Sequence, residues 1–150
     1  MSNTYGPFQP IGRGQGVVGV FLDRVVRGLP VTVFGTGCIV RDYIHLDDIA
    51  SAVIASLAAG VPHALNVGTG VGTSLLQIVQ LLEQISGRAA AVEHLPARGF
   101  DVESIVLDVG AFRALTGHEP IELTAGLTTA YGWALEHAGM CLLAASGGDS

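Results

Sequence analysis

A chain of 150 residues, 49% hydrophobic and 13% charged with 21 glycines, is long enough for one compact domain and too apolar to stay disordered. Thirteen acidic against seven basic side chains leave a net charge of −6. That balance excludes a broad nucleic-acid surface, because such surfaces neutralise many phosphates with lysine and arginine.

In chain order, residues 1–16 hold Gly6-Pro7, Gln9-Pro10 and Gly12-Arg13-Gly14-Gln15-Gly16, a density of breakers that reads as an ordered loop. From Val17 to Arg27, apolar Val17, Val18, Phe21, Leu22, Val25 and Val26 recur at helical spacing, and Gly28 supplies the C-cap. Val31-Thr32-Val33-Phe34 lies between Pro30 and Gly35 and predicts a short strand, with Ile39–Ile44 expected to pair nearby. Asp47 or Asp48 is positioned to cap a second helix running to about Ala59, with Ile49, Val53, Ile54 and Leu57 on its inner face. Ala64–Gly68 reads as another strand, and Leu75–Ile85 as a third helix ending at Gly87. Beyond these, Val92–Leu95 predicts a strand, Val109–Leu115 a short helix closed by Gly117, and Thr124–His137 a last helix with Trp133 on its buried side. The alternation of strands and helices predicts an α/β or α+β class. One domain is expected over residues 1–138, and the tail 139–150, which has no convincing period, is expected to fray.

The longest apolar stretches, such as Ala50–Ala59 and Cys141–Ala145, fall short of the ~20 residues that cross a bilayer, so no membrane partner is expected. Met1 is followed by Ser-Asn-Thr-Tyr-Gly-Pro without a basic or apolar leader, which predicts a cytoplasmic location. Cys38 and Cys141 are too few and too far apart for a disulfide framework or a metal site, and are expected as free thiols.

Four motifs carry a resemblance. Asn3, Tyr5, Gly6, Pro7 and Gln9 lie in a run that resembles the "N-x-Y-G-P-x-Q" segment of extended short-chain dehydrogenases. Gly35-Thr36-Gly37 followed by Arg41-Asp42-Tyr43-Ile44-His45-Leu46-Asp47-Asp48-Ile49-Ala50 is similar to "G-x-G-x-x-x-R-D-Y-I-H-V-D-D-x-A". Asn66-Val67-Gly68-Thr69-Gly70 resembles "N-x-G-x-G", and Arg98 with Phe100-Asp101-Val102 resembles "R-x-x-D-V". The motifs stand in family order over about residues 2–137, and the chain is identified as resembling the NAD-dependent epimerase/dehydratase family, with an overall look nearest to UDP-glucose 4-epimerases.

The resemblance implies an α/β fold: the C-terminal substrate-binding lobe of an extended Rossmann-type epimerase, with the dinucleotide-binding half missing. It implies recognition of a nucleotide sugar, a UDP-sugar by the nearest look-alikes, on behalf of an NAD-dependent 4-epimerase. NAD is the cofactor the family implies, yet no Gly-x-x-Gly-x-x-Gly loop and no Tyr-x-x-x-Lys pair occur, and the sequence contains no lysine. The NAD site is therefore not expected in this chain, and no catalytic residue is assigned. A protein carrying the Rossmann half, or another copy of the chain, is the partner the resemblance suggests. The other readings are a non-catalytic relic or split subunit docking on such a partner, and the same lobe of a dehydratase, decarboxylase or reductase.

The candidate substrate-binding residues are Arg41, Arg98, Asp101, Asn3 and Phe34. An arginine offers a planar fork of donors suited to a diphosphate, and by resemblance Arg41 corresponds to the family's phosphate ligand. Its duller alternative is a surface pair with Asp42 or Asp47. By the same resemblance Arg98 is a second arginine, Asp101 accepts from ribose hydroxyls, and the Asn3 amide reaches phosphates, against an Asx-turn as its plain alternative. Phe34 stacks on uracil or joins the core, while Thr32 and Val33 read the base edge through backbone groups. The cluster Asp42, Tyr43, His45, Asp47 and Asp48 invites a metal, but carboxylates opening a helix satisfy its free N–H groups. Gly68–Gly72 reads Gly-x-Gly-x-Gly, without the third glycine at the offset of a dinucleotide loop, and a structural turn capped by Thr73 or Ser74 is expected.

Overall fold

The computed structural model describes residues 2–9, 16–60, 64–99 and 101–146; residues 10–15 of the breaker-rich stretch and Phe100 of the last motif lie outside them. Eleven elements follow in chain order: β1 (Asn3–Tyr5), α1 (Val17–Arg27), β2 (Val31–Phe34), β3 (Val40–His45), α2 (Leu46–Ala58), β4 (Gly72–Ser74), α3 (Leu75–Ser86), β5 (Val92–Leu95), β6 (Ser104–Ile105), α4 (Gly110–Thr116) and α5 (Leu123–Ser146). The class is α/β, as the alternation of elements predicts.

The helices form where apolar spacing and caps agree. Val18, Phe21, Leu22 and Val25 turn one face of α1 inward, and Gly28 ends it in the left-handed region while its N–H donates back to the Arg24 and Val25 carbonyls. In α3 the buried stripe is Ile78, Val79 and Leu82, opened by a capping box between Ser74 and Gln77. Those stripes meet Leu127, Ala130 and Ala134 of α5, so three helices close over Tyr5 and Tyr43 in a single core cluster. The small residues of α5 let its neighbours approach closely: a Cβ at Gly126 would collide with the Tyr5 ring and hydroxyl.

β3 organises the sheet. Its first half pairs antiparallel with β4, Arg41 opposite Thr73, and parallel with β6, Arg41 opposite Ile105. Its second half pairs parallel with β1, Asn3 opposite Tyr43. β2 stands apart and pairs in parallel with β5, from Val31–Val92 to Phe34–Leu95.

Several expectations change. The opening segment expected as loop supplies β1, because Tyr5 is driven into the core. Ile39–Ile44 pairs with β1, β4 and β6 rather than with β2, since a parallel partner comes from a distant segment that local pattern cannot point to. Ala64–Gly68 forms no strand; its Val67 carbonyl accepts from the Ser2 N–H. The last helix starts at Leu123 and continues through Ser146 rather than ending near His137.

The largest departure is α2. Its expected inner residues Val53, Ile54 and Leu57 are 54%, 69% and 77% exposed, and its buried positions are Asp48 and Ala52. The Asp48 carboxylate accepts from the Ile121 N–H at 3.1 and 3.2 Å and lies 3.0 Å from His118 Nε2. That polar clamp fixes the rotation of α2 and turns its apolar stripe outward.

Candidate substrate-binding site

The turn between β2 and β3 sets the geometry of the site. Gly35 and Gly37 have φ of 66° and 78°, and a Cβ at Gly37 would stand 2.7 Å from Leu76, so the chain reverses there only with glycine. β3 then delivers Arg41, and the next residue anchors it. Asp42 is 1% exposed and accepts from the Thr69 N–H (2.9 Å), the Thr69 hydroxyl (2.7 Å), the Gly70 N–H (2.9 Å) and the Leu107 N–H (3.4 Å). Gly68 is a glycine because a Cβ would sit 2.7 Å from the Asp42 carboxylate. The glycine-rich run 68–72 is thus a cradle for the chain's own carboxylate. Its amides at 69 and 70 are engaged there, and this turn does not fit the diphosphate of NAD.

Arg41 makes neither of the surface pairs that were its alternative: among the described residues no carboxylate lies within 4.0 Å of it. Its Nη1 donates to the Val40 carbonyl at 2.8 Å and to the Val102 carbonyl at 2.7 Å. The second bond ties β3 to the segment carrying Arg98 and Asp101, and it leaves the outer donors of the fork without a protein acceptor among the described residues. Asn3, across the ladder, donates to the Asp42 carbonyl at 3.1 Å rather than forming an Asx-turn.

The Arg98 guanidinium lies 3.6 Å from the Phe34 ring centroid, a cation–π contact that covers one ring face. Phe34 is therefore half-buried at a cavity wall, not in the core. The backbone beside it is polarised by strand alternation. Val31 donates to the carbonyl of Ala91, just before β5, and Gly35 to that of Leu95 within it, so Thr32 and Phe34 present their backbone groups to the opposite edge. Of Thr32 and Val33, Thr32 is the one that turns its backbone groups to that edge.

Asn3, Phe34, Arg41, Arg98 and Asp101 all border one cavity of about 420 Å³, together with Thr32 and the start of α1. Two arginines, an aromatic ring, a carboxylate and an amide thus converge from β1, β2, β3 and the loop after β5. Tyr43 also borders this cavity and was not among the candidates; its signal is the two-residue spacing from Arg41, which puts both on one face of β3. The metal-like cluster is dispersed: Asp42 lies in its cradle, Asp48 in its clamp, and Asp47 is exposed. His45, not Asp47 or Asp48, caps α2, its Nδ1 accepting from the Asp47 N–H at 3.2 Å, because Leu46 is already helical. Ser74, not Thr73, caps α3.

The family model for the NAD dependent epimerase/dehydratase family matches residues 1–68. A crystal structure of UDP-glucose 4-epimerase with UDP-glucose from Thermotoga maritima superposes with a TM-score of 0.81 at 33% identity, covering 90% of this chain and 44% of that one. The chain is similar in sequence and fold to the NAD-dependent epimerase/dehydratase family. UDP-glucuronate 4-epimerase of Thermodesulfobacterium geofontis is 31% identical over 132 residues, 87% of this chain and 41% of that protein. UDP-glucose 4-epimerase of Thermus thermophilus in complex with NAD is 30% identical with a TM-score of 0.78, over 88% of this chain and 44% of its own. The chain thus spans less than half the length of these relatives. Among the described residues no helix is long and apolar enough to cross a membrane.

Proposed function

We propose that the cavity bordered by Arg41, Arg98, Asp101, Asn3 and Phe34 binds a nucleoside-diphosphate sugar, UDP-linked, as the substrate lobe of an NAD-dependent 4-epimerase. The observation that carries the reading is the convergence of these five side chains, from four separate segments, on one space of about 420 Å³, a size suited to a small-molecule ligand. Two guanidinium groups supply charge-assisted donors for a diphosphate. The open backbone edge at Thr32 suits a base edge, and Asp101 suits ribose hydroxyls. Phe34 offers its ring to the base once Arg98 moves onto a phosphate, so the cation–π pair stands in for the ligand.

NAD supplies hydride transfer in such enzymes, and the residues of this chain supply binding and orientation only. They include no Tyr-x-x-x-Lys pair and no lysine, and the run 68–72 is occupied by Asp42. The exposed apolar face of α2 favours a second element of the same reading, docking of this lobe on a partner that carries the Rossmann half.

Thermal unfolding with and without UDP tests the proposal. A ligand that binds only the native state at 100 times its Kd adds about 2.7 kcal/mol, which raises the midpoint by roughly 5–10 °C for a domain of this size. Arg41→Ala should reduce that shift by more than half while unfolding cooperatively. A cooperative wild-type transition indifferent to saturating UDP would refute the reading.

A further inference from the structure

Phe34 closes β2, and the ladder sets it opposite Leu95 of β5, where the Gly35 N–H donates to the Leu95 carbonyl at 2.8 Å. Beyond Leu95 the chain folds back over the strand end beside it. Gly35 permits that close approach: its φ is 66°, and a Cβ there would stand 3.3 Å from Ala97. Arg98 follows directly, and its guanidinium comes to rest 3.6 Å from the Phe34 ring centroid. Among the described residues no carboxylate lies within 4.0 Å of Arg98, so the ring face is the partner of its charge.

Both residues border the cavity of about 420 Å³, and the guanidinium fills the space over Phe34 where a stacked base would lie. An exposed cation–π contact is weak, and a long side chain leaves it by rotating between staggered conformations. The ligand decides whether it does so. A nucleoside displaces Arg98 from the ring and offers the freed cation no anionic partner. A nucleoside diphosphate displaces it and supplies phosphate oxygens, which the guanidinium fork holds more strongly than it holds a ring face.

We infer that the Arg98–Phe34 contact is an autoinhibitory latch: it closes the base platform to nucleosides and yields to ligands that carry phosphate as well as base. Base and phosphate recognition are coupled through one side chain, and each favours the other. The inference rests on the nucleotide-sugar reading and adds how the site discriminates among ligands that share a base.

Isothermal titration of the whole chain with uridine and with UDP tests the latch, because the two ligands should respond to Arg98 with opposite signs. Arg98→Ala should raise uridine affinity about 2- to 5-fold, the value of an exposed cation–π contact. UDP affinity should fall by about 10-fold or more as hydrogen bonds to a charged group are lost. Arg98 is exposed and outside the core, and Arg98→Gln, which keeps most of the side chain's length without its charge, should reproduce both changes. In a Phe34→Leu background Arg98→Ala should no longer raise uridine affinity, since no ring remains to be uncovered. Uridine affinity unchanged or lowered in both arginine variants overturns the latch; if UDP affinity still falls, Arg98 is a plain phosphate ligand and the nucleotide reading stands. A uridine gain that persists without the ring, or one matched by a gain for UDP, overturns the latch as well. A wild type that binds neither ligand overturns the nucleotide reading together with the latch.

Discussion

Removing the Asp42 carboxylate should cost more stability than any other single polar change in the described part of the chain. The side chain is 1% exposed and accepts four hydrogen bonds, three of them at 2.9 Å or shorter. A hydrogen bond to a charged group contributes about 1.5–3 kcal/mol, and donors left unmet add a desolvation cost. Some of that cost is relieved where water reaches the freed Thr69 and Gly70 amides. The expected loss for Asp42→Ala is therefore roughly 3–5 kcal/mol, or about 6–20 °C in the unfolding midpoint. Thr69→Val is the internal control: it deletes only the 2.7 Å hydroxyl bond and the weaker hydroxyl contacts with Val71, and should cost about 1.5–3 kcal/mol. Asp42→Asn should fall between the two, because one carboxylate oxygen becomes a donor facing donors. Denaturant titration followed by circular dichroism gives all three values. Asp42→Ala no worse than Thr69→Val would show that the backbone cradle contributes nothing beyond one hydroxyl, and the reasoning would fail.

Three further outcomes are expected. Gly68→Ala drives a Cβ to 2.7 Å from the Asp42 carboxylate and should cost more than about 2 kcal/mol, whereas Gly87→Ala meets nothing within 4 Å and should cost only the left-handed backbone penalty of about 1–2 kcal/mol; equal midpoints in thermal melts would contradict the close approach. Ser74→Ala removes half of the capping box on α3, with about 1 kcal/mol expected in denaturant unfolding. The Glu122 carboxylate is held below its ordinary 4.5 by the Thr124 and Ala125 backbone N–H groups. Its folded value is depressed, so its contribution is full above 4.5 and disappears as pH falls through the lowered value; the gap in melting midpoint between wild type and Glu122→Gln should narrow on acidification below 4.5, and a constant gap would remove Glu122 as the cause.

Much of this protein was legible in the sequence because much of it is local. The α1 and α3 boundaries follow from apolar spacing closed by Gly28 and Gly87, and β2 from a short run of β-branched and aromatic residues. The five candidate residues could be named one by one because each sits in a motif whose neighbours are interpretable: glycines for a turn, an aspartate for a cradle, an arginine beyond both. What sequence could not reach is what depends on distant partners. β1 exists because β3 lies beside it, His45 caps α2 because β3 runs directly into that helix, and Val53, Ile54 and Leu57 face outward because Asp48 is clamped by a segment about 70 residues away. Tyr43 borders the large cavity only because the helices close over β3. Residue type and spacing determined which chemical groups the chain can present; the long-range pairing of strands decided which of them meet, because only tertiary contact fixes the relative positions of segments that share no local pattern.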